Sequence, residues 1–328
     1  MTALAPPRTT RDGASAPSRA RPPGRAAAAR RRRQNLTPYL LLLLPAGLVV
    51  LALGYPMGRQ LVMSFQEFGI AQQFGQPPEW VGLSNYTTIV TDTYFWTVTL
   101  RTLAFTAVAA GATMVVGVGL AVLMQRVAAG LRIALQLALL FAWATPVIAA
   151  VAIWKLMADH RHGVVNTLLT GVGLGGFDGF HWLQAGTIPF LLVAATVVIW
   201  ASTPLVSLAT FAALSQVDEA TVEAAQIDGA STPRILWHIV LPIIRPVLVL
   251  LAILQVIWDL RVFAQIYSLQ QSAGNTSDTN LLGTYIYQTG IAGGDYGMAS
   301  ALAMIMLLIL VLLTWRYVRI LSRQGDLT

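Results

Sequence analysis

The stretch SQVDEATVEAAQIDGASTPRILWHIVLP, from Ser215 to Pro242, decides how the rest of this sequence is interpreted. Ser215 followed three residues later by Asp218 predicts a helix start of the capping-box type. The acidic residues at the start of that helix suit its positive end, and helix-forming residues continue through Gln226. Gly229 predicts the end of the helix, because glycine adopts a left-handed backbone without strain.

A second helix is predicted after the glycine. Thr232 and Pro233 suit its N-cap and its first helical position, and Pro242 is expected to end it. Two short helices joined by a glycine turn form a rigid projection that fits a groove on another protein. On local pattern alone, an ordinary helical loop lying on a membrane surface explains the stretch equally well.

The composition around this stretch is that of a membrane protein. The chain has 328 residues, of which 56% are hydrophobic and only 11% are charged, against about 25% charged in soluble domains. A bilayer core about 30 Å thick requires about 20 apolar residues per helix. Six stretches satisfy this length, so we expect an all-α integral membrane protein with six spans, the quoted loop lying between the fourth and fifth: residues 38–64, 97–125, 133–155, 187–213, 243–266 and 297–315.

The distribution of basic residues predicts the orientation. Segments 67–96 and 267–296 contain no lysine or arginine, whereas Arg126 and Arg132 lie in the turn between spans two and three. Because basic loops stay on the cytoplasmic side, both termini, this turn and the loop 214–242 are expected inside. The segments expected outside are 67–96, 156–186 and 267–296.

Three parts of the chain are predicted from composition. Residues 1–34 contain nine arginines among alanines and prolines, which predicts a disordered cytoplasmic tail that fixes orientation and touches anionic lipid. Residues 35–322 form the membrane domain, and 323–328 form a short cytoplasmic tail. The basic segment lacks the folded surface that nucleic-acid binding requires, so no nucleic-acid partner is expected.

Several kinds of catalytic or metal site are excluded by the sequence. There is no cysteine, and the four histidines have no acidic partners at the spacing of metal ligands. No glycine-rich phosphate loop, HExxH or GxSxG motif is present. We therefore expect neither an enzyme nor a metal site.

The residues of the quoted loop resemble those of a known family. Their order and spacing match the EAA loop of bacterial ABC importer permeases: Glu223, Ala224 and Ala225, then Gly229, then nine residues, then Ile239, Leu241 and Pro242. The segments VGLSNY (81–86), WDLRVFAQIYSLQ (258–270) and DYGMASALAMI (295–305) resemble the carbohydrate branch of that family, the maltose, trehalose and glycerol-phosphate type, and within it the first permease of a pair.

This resemblance implies a set of partners in a bacterial cell membrane. A second permease would complete the path, and an extracellular solute-binding lipoprotein would deliver a sugar. A cytoplasmic ATPase dimer would bind ATP and magnesium, so this chain would hold no cofactor. The residues implied to couple to the ATPase are Glu223, Ala224, Ala225, Asp228, Gly229, Leu241 and Pro242.

Polar and aromatic residues in span five predict part of a solute path. Gln255, Trp258, Arg261 and Gln265 follow one another at steps of three, three and four, which places them on one helical face. A tryptophan plane flanked by amide and guanidinium donors suits a sugar ring. Asp259 is expected on another side of the helix, where it can pair with a neighbouring span. The competing interpretation is that these groups join packed helices.

Spans three and four contribute further candidates. In span four, Trp200 and Thr203 belong to a stripe that also includes Thr196, Ser207 and Thr210. The resemblance places Ser202 and Leu205 near the solute as well, and Trp143 of span three at an aromatic sugar contact. Packing explains all of these residues equally well.

Two other functions are compatible with a membrane chain of this kind. The first is an ABC permease for a solute other than a sugar. The second is a stand-alone secondary transporter, which would need ion-relay carboxylates within its spans. Asp259 is the only acid embedded in the predicted spans, and this argues against the second alternative.

Overall fold

The computed structural model describes residues 41–273 and 276–325, in which the regular secondary structure is helical apart from one short hairpin. The chain divides into two units, Met1–Arg59 and Gln60–Thr328. The first described helix, α1, spans Leu41–Met63 and contains a π-helical turn at Val50–Gly54. The predicted tail 1–34 and the last three residues of the chain lie outside the described residues.

Thirteen α-helices of four or more residues follow α1 within the described ranges. They are α2 Ile70–Gln73, α3 Ser84–Thr91, α4 Thr93–Arg126, α5 Ala129–Ala144, α6 Val147–Met157, α7 Val164–Gly171, α8 Thr187–Leu214, α9 Glu219–Ile227, α10 Thr232–Ile235, α11 Arg245–Leu260, α12 Ala264–Gln270, α13 Leu282–Tyr287 and α14 Tyr296–Gly325. Helix α10 continues through a π-helical turn, Leu236–Val240, and a short helical segment, Leu241–Ile243. Another π-helical turn, Gln288–Ala292, follows α13.

The predicted spans correspond to helices of sufficient length. Five are long and apolar enough to cross a membrane: Leu41–Met63, Thr93–Arg126, Thr187–Leu214, Arg245–Gln270 and Tyr296–Arg316. These match predicted spans one, two, four, five and six. The expected total of six is reached when the bent pair α5 and α6 counts as one span.

The third span is not the straight helix that the sequence predicted for 133–155. Helices α5 and α6 meet at an angle of 104° across Thr145 and Pro146. Proline lacks a backbone N–H and pushes the preceding residue out of the helical region. Thr145 is accordingly extended, with ψ 125°.

Helices α4 and α8 form the centre of the second unit and pack along each other through small residues. Thr113, Gly117 and Ala121 recur at intervals of four on α4, and all three are buried. A Cβ on Gly117 would lie 2.5 Å from Cγ1 of Val206 on α8. The glycine is therefore required for this close approach, as in other tightly packed membrane helices.

The VGLSNY segment fastens the hairpin that follows α1. Strands β1 (Gln66–Glu67) and β2 (Glu79–Trp80) are antiparallel. The Asn85 side chain donates hydrogen bonds to the carbonyls of Ser64 (3.0 Å) and Gln66 (3.1 Å), and the Tyr86 hydroxyl donates to Ser64 Oγ at 2.7 Å. These hydrogen bonds join the start of α3 to the end of α1 and to strand β1.

Candidate functional site

The loop 214–242 that carries the EAA residues is called the coupling loop below. Its first helix is α9, whose N-cap is Asp218. The Asp218 carboxylate accepts the N–H of Ala220 at 3.1 Å. The prediction that Ser215 caps this helix is wrong. Ser215 still has a helical backbone and ends α8, where its hydroxyl donates to the Phe211 carbonyl at 2.9 Å. Asp218 is the first residue with the extended backbone that an N-cap needs.

The turn after α9 forms at Gly229, as predicted. Its φ is +79°. The N–H of Ala230 donates to the carbonyl of Ala225, and the N–H of Gly229 donates to that of Gln226, each at 3.0 Å. This pair of bonds is the Schellman arrangement, which satisfies the last carbonyls of a helix and reverses the chain.

The second helix of the loop starts and ends one or more residues away from the prediction. Its N-cap is Ser231, which is extended, so Thr232 is already helical. Pro242 does not end the helix. The π-helical turn Leu236–Val240 shifts the hydrogen bonds before the proline, and Leu241 donates to the Leu236 carbonyl. A new helical segment, Leu241–Ile243, begins there with Pro242 in its first turn, where a proline is tolerated.

The coupling loop has a packed inner face and an exposed outer face. Ala225 is buried in one apolar cluster with Leu214 and Ile235. Glu223, Ala224, Asp228, Gly229 and Pro242 are exposed, and Leu241 is partly buried. Two large apolar side chains are also exposed, Ile227 at 86% and Trp237 at 68%. The arrangement presents a carboxylate beside an apolar surface.

A cleft of about 580 Å³ lies between the coupling loop and the end of α4. Glu219 and Glu223 line it from the loop, and Arg126 and Arg132 line it from the other side. Arg132 donates from Nε to the carbonyl of Met124 at 2.8 Å, which stabilises the negative end of α4. The cleft therefore places both signs of charge behind the coupling loop.

The candidate solute-path residues of span five differ in burial and lie on two helices. Gln255 and Asp259 are both buried, and Gln255 Nε2 donates to Asp259 Oδ1 at 2.8 Å. Asp259 thus pairs within its own helix, which corrects its predicted placement. Trp258, 45% exposed, and Arg261 point away from this pair. Helix α11 ends at Leu260, so helical spacing does not carry over to Arg261, or to Gln265 on α12.

The polar residues predicted to form one stripe on span four also differ in burial. Thr203 is buried and donates to the Ile199 carbonyl at 2.7 Å, and Ser207 and Thr210 are buried too. Thr196 is exposed, and Ser202 and Leu205 are partly buried.

The predicted tryptophans lie at three separate places. Trp200 is partly buried and packs edge-on against Trp154, with ring centroids 6.5 Å apart. Trp143, 57% exposed, lies on α5 two residues before Thr145. In the described part of the chain, no ring contact joins Trp143, Trp200 and Trp258.

A buried polar network at the end of the helices opposite the coupling loop was missed by the sequence analysis. Asn280 is 1% exposed, and its amide donates to Tyr94 Oη at 2.9 Å and Gln288 Oε1 at 2.6 Å. Its Oδ1 accepts from Gln270 at 3.0 Å, and its backbone carbonyl accepts from Arg101 at 3.0 Å. One side chain thereby joins α4, α12 and the turn after α13. These partners are as many as 186 positions apart, so no local pattern identifies them.

Among the described residues there is no group of three or more His, Asp or Glu side chains that could hold a metal ion.

Comparison with known proteins gives a family and several relatives. Residues 115–324 match the family model described as binding-protein-dependent transport system inner membrane component. The chain is 36% identical over 314 residues to the diacetylchitobiose uptake system permease protein DasB of Streptomyces coelicolor, covering 96% of this chain and 93% of the relative. It is 31% identical over 267 residues to the trehalose transport system permease protein SugA of Mycobacterium tuberculosis, covering 81% of this chain and 82% of the relative.

The fold also has a counterpart among solved structures. The chain superposes with a TM-score of 0.76 on a chain of a bacterial ABC transporter that imports the acidic polysaccharide alginate. The two are 23% identical, and the match covers 90% of this chain and 98% of that chain. At this level of identity the likeness concerns the fold.

Proposed function

Since this chain belongs to the family of binding-protein-dependent transport system inner membrane components, we propose that it forms, with a second permease, the translocation path of an ATP-driven ABC importer whose cargo is a saccharide. It is a multi-pass membrane protein with the all-helical fold expected of a permease. The observation that carries the proposal is the family match together with the ordered, exposed EAA loop that it covers.

Coupling to ATP hydrolysis is assigned to the exposed side chains of that loop. Two cytoplasmic ATPase subunits bind ATP and magnesium, and one of them receives α9, while this chain holds no cofactor. Glu223 meets a basic residue of the ATPase, and the exposed Ile227 and Trp237 supply apolar contact. Gly229 fixes the angle between the two short helices. In this arrangement the coupling loop and both termini are cytoplasmic.

The cargo is assigned from the relatives and the solute-path residues. The names of three relatives specify diacetylchitobiose, trehalose and sulfoquinovosyl glycerol, all of them sugar compounds. Trp258 and Arg261 are exposed on the fifth span, where an aromatic plane and a guanidinium can contact a sugar ring. An extracellular solute-binding lipoprotein delivers the sugar to the side opposite the coupling loop. The other residues predicted for the path are Trp143, Trp200, Ser202, Thr203, Leu205, Gln255, Asp259 and Gln265. Of these, Gln255 and Asp259 are buried and bonded to each other, so we assign them to the support of α11 behind the exposed Trp258.

Purification of the tagged full chain from its own host in mild detergent tests the proposal. We expect a second multi-span permease and an ATPase to co-purify, and the reconstituted assembly to take up a labelled saccharide only with ATP and the binding protein. Recovery of this chain alone, active without ATP, would instead indicate a secondary transporter. Uptake of amino acids or phosphate in preference to any saccharide would support the assignment as an ABC importer but contradict the assignment of a saccharide cargo.

A further inference from the structure

A pocket that contains none of the proposed path residues lies between the end of α6, the loop that leads into α8, and Ser272 after α12. We call it the outer pocket. Its volume is about 550 Å³, within the range of about 300–1,000 Å³ that is typical of small-ligand sites. The side chains that matter for its chemistry are Lys155, Asp159, His160, His181, Trp182 and Gln184.

One wall of the outer pocket is a tight turn that begins at Asp159. The carboxylate Oδ1 accepts the backbone N–H of His162 at 2.9 Å and of Arg161 at 3.0 Å. These two bonds, the His162 bond first, hold the pKa of the Asp159 carboxyl below its ordinary value. His160 stacks on His181 with centroids 3.8 Å apart and accepts a bond from Arg161 Nε at 3.0 Å. The wall therefore carries a fixed carboxylate and two ordered imidazoles.

The pocket lining also contains an aromatic plane, the indole of Trp182, which packs against the apolar core. Trp182 Nε1 donates to Oδ1 of the buried Asn166 at 2.6 Å. The indole ring is nearly parallel to Phe177, with an interplanar angle of 7° and centroids 5.4 Å apart. Gln184 Nε2 donates to the Ser272 carbonyl at 3.3 Å and closes the rim. These contacts pre-order the groups that would meet a ligand.

The polar groups of the outer pocket favour a neutral ligand that both donates and accepts hydrogen bonds. Lys155, near the end of α6, has no hydrogen-bond or ion-pair partner within residues 41–273 and 276–325. Its ammonium group can donate hydrogen bonds to a ligand, and the carboxylate of Asp159 can accept them. An anion would face the carboxylate and a cation would face the lysine, whereas a hydroxyl group satisfies both. An aromatic surface beside such groups suits the apolar face of a sugar ring.

We propose that the outer pocket is a binding subsite for one ring of a neutral saccharide, separate from the path on the fifth span. The proposal extends the proposed function, because it gives the importer a contact with its cargo at the side where the binding protein delivers it. Lys155 and Asp159 bond the ring hydroxyls, and Trp182 packs against the ring.

A labelling experiment can test the outer pocket directly, because Lys155 is the only lysine in the chain. The full chain, co-purified with its partner permease in nanodiscs, is treated with an amine-reactive acetylating reagent, and modification of Lys155 is followed by mass spectrometry. N,N′-Diacetylchitobiose and trehalose are the probes, and glycerol at equal hydroxyl concentration is the control. We expect at least one of the two saccharides to slow acetylation of Lys155 at least threefold and glycerol to have no effect.

Substitution of the pocket carboxylate decides whether protection arises there. Asp159→Asn retains an oxygen that accepts the two backbone N–H groups, so the turn is preserved while the charge is lost. We expect it to abolish protection, and the matched control Asp178→Asn, an exposed acid of the same segment, to retain it. Lack of protection by both saccharides in the unsubstituted chain, or undiminished protection in Asp159→Asn, would overturn the subsite. Saccharide uptake by the intact importer, measured separately, decides the proposed function whatever the labelling shows.

Discussion

The coupling loop and helix α11 hold their polar residues in opposite ways. In the loop, Glu223 is exposed at the cleft between α9 and the end of α4, and the reversal of the chain depends on backbone hydrogen bonds around Gly229. In α11, the acidic group Asp259 is buried and bonded to Gln255, while Trp258 on the same helix is exposed. In the loop, the backbone groups that set the structure are separate from the exposed side chain proposed to meet the ATPase. In α11, the buried Asp259 and the exposed Trp258 are neighbours in one helical turn.

This difference has a consequence for substitutions. Exposed groups of the loop can be changed without disturbing packing, so their effects should appear in transport and not in folding. In α11, a change to the buried pair should alter stability, and a change to Trp258 should alter transport alone. The following predictions separate these outcomes.

The largest expected effect is that of Glu223→Lys. Under the proposed function Glu223 meets a basic residue of the ATPase, and reversal of its charge is then expected to cost about 2–5 kcal/mol, or a loss of ATP-driven uptake of at least about 30-fold. The chain should still insert and retain its thermal stability, because Glu223 is exposed. Transport assays and ATPase co-purification check this. Thr221→Lys, on another side of the same helix, is the control, and unchanged uptake in Glu223→Lys would refute the coupling assignment.

The next effect is that of Gly229→Val, which tests whether the turn must stay left-handed. No atom lies within 4 Å of a Cβ at this position, so the cost is backbone strain alone. At φ +79° this is about 1–3 kcal/mol, and we expect uptake to fall about tenfold with weaker ATPase association. Gly229→Asn should retain most uptake, since asparagine tolerates this conformation. Equal loss in both variants would show that the glycine serves some purpose other than the turn.

The third prediction concerns the buried pair of α11. Asp259→Ala leaves the Gln255 amide buried without its acceptor, which costs about 1–3 kcal/mol of folding free energy. Asp259→Asn keeps an oxygen at the same place and should cost much less. Thermal unfolding in nanodiscs measures both. If Asp259→Ala were as stable as the wild type but inactive, the carboxylate would belong to the transport path and not to the packing.

The bounds of the membrane-spanning helices could be predicted from the sequence, whereas the position of the bend within the third span could not. Bilayer thickness fixes the length of an apolar segment, so five spans were located within a few residues. Two prolines show where this reasoning stops. Pro204 lies inside the continuous helix α8, where it is buried, whereas Pro146 lies at a bend of 104°. Both lack the same N–H, and the packing of the surrounding helices, which no local pattern contains, decides which helix remains continuous.

The candidate site was predictable where backbone chemistry defines it. The EAA resemblance rested on a few side chains and a glycine turn, and the family match and the relatives confirm the class of carbohydrate ABC importer permease. The prediction of one face for span five assumed a single helix, whereas α11 ends at Leu260 and Gln265 lies on α12. The Asn280 network and the stacking of His160 on His181 join residues distant in sequence, so the roles of these groups remained undetected until the fold was known.

The smallest expected effect is that of Trp258→Ala, and it sharpens the contrast within α11. Loss of one aromatic contact with a sugar ring is worth about 0.5–1.5 kcal/mol, which corresponds to an increase of about two- to twelvefold in the saccharide concentration at half-maximal uptake. The maximal rate and the thermal stability should change little, because the side chain is 45% exposed. Trp315→Ala on α14, which removes an indole that is 66% exposed, is the matched control and should leave uptake unaltered. A fall in stability with an unchanged half-saturation concentration in Trp258→Ala would place this tryptophan in helix packing, and both halves of the α11 turn would then be structural.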